Sequence, residues 1–524
     1  MSLLLTSIIG LPIAGALTVA LIPRSYRSVI RSVALLVTMA SMVLSIYLFA
    51  QFQPGIPGYQ FVHELAWIPS LGINYQVGVD GINVGIILMG ALVAFAATCL
   101  SREITEREKE YYFLLLMMIG GILGAFASLN LFFFFAFHEF ALIPTFIMIG
   151  VWGRGENKNY AAFNMTIYLT VGAMLALIGI VALSIQAGAN SFDLRVITAA
   201  LKAKPLGDAV QAWIFPLLLF GFGILVSLWP FHTWAPLGYG AAPTAASMLH
   251  AGVLKKFGLY GLIRIAIPLM PMAAQSWMQL LAILCLGNIL FCGFVAMRQR
   301  NLNLLIGNSS VAHMGFVFLG IASLTMVGVT GAVVIMIAHG LLAALSFGIS
   351  GHIFNQTKTL DMDKMGGFLK PMPFIGSALL MALMAGCGLP GFANFVGEAM
   401  TLFAAWEVFP IITSLAIWGG LVMGAVYMLR AIRSILHGPV STLGEKLMDA
   451  TTWWKKLPFA LLILGLLVFG IWPRLLTDKI KPSAEEVVAM ATMGQPTIKP
   501  VPPPIKARIK AKRPAGTKRP PARP

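Results

Sequence analysis

A chain of 524 residues with 58% hydrophobic and only 10% charged side chains is too apolar for a soluble domain, where roughly 25% of residues are charged. Apolar runs of about 20 residues, the length that crosses a bilayer, recur along it, and their continuity excludes a β-barrel, which needs alternation over about ten residues. The net charge of +17 would suggest nucleic acid in a soluble protein; in a membrane protein it reflects topology, so nucleic-acid binding is set aside.

The predicted fold is all-α and polytopic, with about 14 transmembrane helices at 3–22, 29–50, 80–100, 111–128, 130–151, 161–187, 210–228, 243–267, 276–297, 302–323, 326–354, 373–404 (interrupted), 409–431 and 457–476. The first has no basic flank or clear cleavage site, so it reads as a span rather than a signal peptide. Lys and Arg concentrate in the loops after odd-numbered spans, whereas the internal loops after even-numbered spans hold only Arg195, Lys202 and Lys204. The positive-inside rule then puts the odd loops in the cytoplasm and both termini outside. Residues 479–524 end in "KPVPPPIKARIKAKRPAGTKRPPARP". Proline at that density does not make a helix, so this tail is expected to be disordered, either a solvated extension or a contact for lipid headgroups or a partner subunit.

Several spans carry polar groups in the wrong solvent. In "NLFFFFAFHEFALIPTFIMIGVW" (130–152), Glu139 is the one charged residue, and an ionised group at the bilayer centre costs roughly 2.5–3.5 kcal/mol. It is either a protonated side chain bonded to a neighbouring helix or a site on an ion or proton path. Span eight, "HAGVLKKFGLYGLIRIAI", holds Lys255 and Lys256; a lysine near a helix end snorkels, but Lys256 lies mid-span. His339 centres span eleven, where a lone histidine is either a helix contact or a relay group. Glu398 follows a break made by Gly388, Pro390 and Gly391. Span seven breaks comparably at "SLWPFHTWAPLGYG", with Pro230, His232 and Pro236. Proline and glycine stop a helix there, and paired broken helices in corresponding halves mark transporter repeats. The expected organisation is 1–110 for the first three helices, 111–270 and 271–436 for two inverted five-helix repeats, 437–478 for a loop and the last helix, and 479–524 for the tail. Glu139, Lys256, His339 and Glu398 together read as a buried midplane proton relay. Cys99, Cys285, Cys292 and Cys387 form no CxxC pair and read as small buried hydrophobes. No P-loop, dinucleotide fingerprint or haem or iron–sulfur spacing occurs.

The motifs "GVDGIN", "FHEFALIP", "GVWGRGENKNYAA", "PFHTWAPLGYGAAPTAASMLHAGVLKKFGLYGLIR", "LIGNSSVAHMGFVFLGI", "MIAHG" and "GLPGFANFVGE" resemble the antiporter-like membrane subunits of respiratory complex I, nearest those of the M type in bacterial NADH–quinone oxidoreductase. Mrp-type cation/proton antiporters share the fold; Glu398 in "FVGE", where those relatives carry lysine, sides with the M type. The resemblance implies a proton-translocating, translocase-class subunit in a bacterial inner membrane, beside other membrane subunits of the complex. It places NADH, FMN, iron–sulfur clusters and quinone in those other subunits and no cofactor or metal in this chain. It assigns Glu139 as the charge-pair acid, Lys256 as the central relay base, His339 as a connector and Glu398 as the exit group, with His232 and His313 at weaker motif positions. His138, beside Glu139, and Lys255, where the family pattern is generally apolar, are further auxiliary candidates from their place in the chain. Two positions depart from the pattern. The lysine expected before the span-seven break is Leu225, and the charged motif before span ten is "NLNL" (301–304). Glu139 is therefore expected to carry its own proton or to be served by His138 or Lys255. A Mrp-type antiporter subunit, or a scaffold that conducts poorly because of Leu225, remain the other readings.

Overall fold

The computed structural model describes residues 3–493. Two helices, α1 (Leu4–Leu21) and α2 (Arg27–Gln51), lead into an antiparallel hairpin of β1 (Gln60–Ile68) and β2 (Ile73–Val79). The first half continues with α3 (Asn83–Leu100), α4 (Glu108–Ala127), α5 (Leu131–Trp152), α6 (Lys158–Gln186) and the short α7 (Leu194–Ala203). It closes with α8 (Asp208–Val226), α9 (Trp234–Ala241), α10 (Thr244–Leu249), α11 (Lys256–Gly261) and α12 (Ile267–Leu269). The second half holds α13 (Pro271–Leu286), α14 (Cys292–Arg298), α15 (Leu302–Ala322), α16 (Met326–Thr357), α17 (Pro373–Gly386) and α18 (Ala393–Val408). After it come α19 (Pro410–Ile417), α20 (Met423–Leu436), α21 (Trp453–Ile471) and α22 (Arg474–Ala491). Among the described residues, twelve helices are long and apolar enough to cross a membrane. The predicted eighth and twelfth spans are instead the interrupted stretches 244–269 and 373–408.

In hydrocarbon every backbone donor and acceptor needs a protein partner, and several helix starts are capped by side chains. Asn130 caps α5 through Phe132 N–H (3.1 Å), Asp193 caps α7 through Arg195 N–H (2.8 Å), and Thr325 caps α16 through Gly328 N–H (3.0 Å). Asn301, in the altered "NLNL" segment, caps α15 through Asn303 N–H (2.9 Å). α16 is buried along its apolar length and, with α15 and α3, forms the core; α2 and α21 face outward.

The two breaks are where proline and glycine place them. α8 stops at Val226, and Ser227 turns left-handed at φ 74°. Pro230 lies in the turn, whereas Pro236 sits in the first turn of α9 and is no part of the break. Asn288, from a π-turn at Gly287–Phe291 on the facing helix, repairs the exposed backbone. Its Oδ1 accepts from Trp229 N–H (2.8 Å), and its Nδ2 donates to the carbonyls of Ser227 (2.9 Å) and Val311 (3.2 Å). Between α17 and α18, Gly388 (φ 71°) and Gly391 (φ 103°) flank Pro390, conformations that a β-carbon disfavours.

The hairpin is a small β addition to a helical fold, and one expectation is corrected. The stretch from 479 does not begin as a disordered tail: α22 runs to Ala491 as an amphipathic helix, burying Leu476, Ile480, Ala484, Val487 and Met490. It is pinned by Lys479 Nζ donating to Phe52 O (2.9 Å) and by Ser483 Oγ accepting from Gly81 N–H (3.1 Å). The rest of the predicted tail, 494–524, lies outside the described residues.

Candidate functional site

Lys256 and His339 form the centre. Residues His250–Leu254 make a π-turn, in which Lys255 N–H donates to His250 O (3.0 Å) instead of to Ala251 O. The Ala251 carbonyl accepts from Lys256 Nζ (2.6 Å), and the same amine lies 2.9 Å from His339 Nδ1. The helices come this close because both present glycine. A β-carbon on Gly252 would sit 2.9 Å from Gly340 O, and one on Gly340 would sit 2.9 Å from Gly252 O. Small residues at a crossing let backbones approach, as is general in membrane bundles.

From His339 the row continues to the second break. The His339 and His313 rings stand 5.5 Å apart. His313 Nδ1 lies 2.7 Å from Ser309 O and Nε2 3.2 Å from Gly386 O, the last carbonyl of α17. Neither carbonyl can donate, so the neutral ring gives its N–H to one of them and the charged ring to both. His313 Nε2 is also 3.6 Å from Glu398 Oε1. Glu398 is buried against Gly388, where a β-carbon would meet Oε2 at 2.7 Å. Asn394 and Thr401, on either side of Glu398 along α18, are buried with side-chain polar atoms that find no protein partner.

The other end differs from expectation. Glu139 is not fully buried: its side chain is 31% exposed on the outer side of α5. It lines a cavity of about 60 Å³ with Leu142, Phe146, Met165 and Leu169. Its one ion-pair partner among the described residues is His138, with Nδ1 3.4 Å from Glu139 Oε1. His138 is buried and stacks on Phe257, centroids 4.1 Å apart. Leu225 is part of the packed core, so no cation occupies the position of the expected lysine. Lys255 does not serve Glu139 either: its Nζ donates to Ser310 Oγ (3.3 Å) and lies 5.6 Å from the Tyr239 ring.

Between the two ends stands His250, which the sequence alone does not single out. It is buried, neither ring nitrogen has a protein hydrogen-bond partner, and it is within electrostatic reach of His138, Lys255 and Lys256. It packs against Trp234 and Tyr239 (5.6 and 5.5 Å). The signal that could have found it is a histidine six residues before the mid-span lysine. Ser309, bonded to Tyr427 OH (3.1 Å), and Asn288 also escape sequence reasoning. His232 stays apart from the row: it is buried edge-on to Phe291 (5.5 Å), with Nδ1 unpartnered. Outside the row, the "GVDGIN" and "GLIR" motifs meet in an ion pair of Asp80 with Arg264. Among the described residues, no group of three or more His, Cys, Asp or Glu side chains is arranged to hold a metal ion.

Comparison with known proteins agrees with this architecture. Residues 128–424 match the family model described as NADH:quinone oxidoreductase/Mrp antiporter, transmembrane. The chain is 33% identical to NADH-quinone oxidoreductase subunit M of Rhodobacter capsulatus, over 94% of this chain and 99% of that one. It is 32% identical to NAD(P)H-quinone oxidoreductase chain 4-1 of Synechocystis sp., over 94% and 95%. It superposes on a chain of respiratory complex I from Thermus thermophilus with a TM-score of 0.85 and 26% identity, covering 93% of this chain and 99% of that one. The chain belongs to the NADH:quinone oxidoreductase/Mrp antiporter transmembrane family.

Proposed function

We propose that this chain is the M-type, proton-translocating membrane subunit of an NADH–quinone oxidoreductase, working beside other membrane subunits in a bacterial inner membrane. The observation that carries the reading is the Lys256–His339 contact of 2.9 Å in the packed centre of the fold, in a chain matching subunit M over 94% of its length. Ionisable side chains are too costly at this depth to serve packing alone.

Protons pass along Glu139, His138, His250, Lys256, His339, His313 and Glu398. Lys256 is the pivot, since its ammonium can donate to His339 Nδ1 and its free amine can accept from the same nitrogen. Glu398, with Asn394 and Thr401 along one face of α18, forms the exit, and the unpartnered polar atoms of that face are suited to ordered water. His138 takes the place that the expected lysine leaves to Leu225. Fourteen crossings in two inverted repeats, with both termini on the outer side, fit the two breaks and the basic loops.

The test is the composition of the assembly. Purified in mild detergent through this chain, the complex should contain FMN and iron–sulfur subunits and reduce quinone with NADH. An assembly free of flavin and iron–sulfur chains that exchanges sodium for protons would establish the Mrp-type reading instead.

A further inference from the structure

At the end of the molecule that carries the basic loops, the termini of α3 and α16 and the start of α21 part beside α2. They leave a cavity of about 640 Å³, away from the buried row. Its mouth is basic: Arg102, Lys358 and Lys455 line it and all three are exposed. Among the described residues none of the three has an ion-pair partner. The two carboxylates at the mouth are engaged elsewhere. Glu103 accepts from Arg154 (2.7 Å) and from Thr244 N–H (2.8 Å). Asp449 accepts from Phe374 N–H (2.8 Å) and Ile375 N–H (3.0 Å), at the start of α17. Gln356 frames the rim: its Oε1 accepts from Met448 N–H (2.8 Å) and its Nε2 donates to Met448 O (3.0 Å).

Behind the mouth the wall is apolar, made by Leu35, Leu36, Met39, Phe95, Leu100 and Phe459. α2 enters the membrane on this side, where Arg31 bonds Glu108 at the foot of α4. Met39 is twelve residues beyond Arg27, a depth of about 18 Å at 1.5 Å per residue. That matches one leaflet of a hydrocarbon core about 30 Å thick. Trp454 is exposed at the rim, the level at which indole rings favour lipid headgroups.

We propose that this cavity binds an anionic phospholipid, with the phosphate among Arg102, Lys358 and Lys455 and one acyl chain along the apolar wall. Three unpaired cations select a headgroup of net negative charge, because a zwitterionic lipid brings its own cation into the same mouth. The apolar wall selects a lipid over a free phosphate ion. Lys358 ends the helix that carries His339, so the bound lipid ties that helix to α3 and α21.

The test uses the whole complex in nanodiscs doped with phosphatidylglycerol or phosphatidylcholine carrying a diazirine in the acyl chain. After illumination, labelled peptides are mapped by mass spectrometry. Phosphatidylglycerol should label the segments around Phe95 and Phe459 several-fold more than phosphatidylcholine. The surface variant Arg102→Gln/Lys358→Gln/Lys455→Gln should lose that preference while keeping its melting temperature. Excess orthophosphate should leave the labelling unchanged. Equal labelling by the two lipids, an unchanged preference in the triple variant, displacement by orthophosphate, or no label at these segments would each overturn the proposal.

Discussion

Lys256 and His339, 83 positions apart in the chain, meet with Nζ 2.9 Å from Nδ1, and the meeting depends on what lies beside them. Gly252 and Gly340 bring the two backbones into contact, while the π-turn at His250–Leu254 frees the carbonyl that holds the amine. A proton can cross this contact with the heavy atoms nearly still.

Gly340→Ala tests that arrangement. The added methyl would sit 2.9 Å from Gly252 O and collide with Met89 Sδ, so the helices must separate by a few tenths of an ångström. Overpacking of this kind costs about 1–3 kcal/mol. Lower thermal stability together with slower proton uptake is expected, measured on the purified and reconstituted complex. Wild-type values for both would show that the close crossing is dispensable.

Asn288→Leu removes the patch over the first break. It leaves Trp229 N–H without its acceptor and the Ser227 and Val311 carbonyls without this donor. Each buried group so stranded costs about 1–3 kcal/mol. A marked fall in melting temperature is expected, with Asn288→Asp intermediate because it keeps the acceptor for Trp229. Equal stability of the leucine and asparagine forms would refute this account of the break.

Much of this architecture is legible in the amino-acid sequence. Continuous apolar runs mark the spans, Gly388, Pro390, Gly391 and Pro230 mark the breaks, and a charge inside an apolar run singles out Lys256 and Glu398. The direction of Glu139 is not legible. In a membrane bundle the lipid face and the core face of a helix are equally apolar, so periodicity does not separate Glu139 and Phe140 on one side of α5 from His138 and Ala141 on the other. α22 escapes for the opposite reason: its polar composition and Pro482 hide the stripe Leu476, Ile480, Ala484, Val487. Asn288 is invisible because its role is to bond the backbone of another helix, which no local pattern records.

His138 and Glu139 are expected to act as one unit. His138→Phe and Glu139→Gln should each slow proton uptake by a similar factor, and the double variant should be little worse than either. Losses that multiply in the double variant would mean that the two act separately and that His138 does not stand in for the lysine absent at Leu225.

Gly81 owes its place in "GVDGIN" to α22. A β-carbon there would run into the Lys479 carbonyl of that helix, and its N–H donates to Ser483 Oγ. Gly81→Ala should loosen α22 and expose the chain near Thr492 to protease while the spans remain intact. Protease resistance equal to wild type would show that α22 is held without this contact.

The most direct measurement is proton uptake per NADH oxidised by the reconstituted complex carrying Lys256→Met, a change that keeps length and volume but removes the amine. The account predicts a fully assembled complex whose proton uptake per NADH falls below that of wild type. An unchanged ratio at unchanged turnover would contradict the relay through Lys256 and His339.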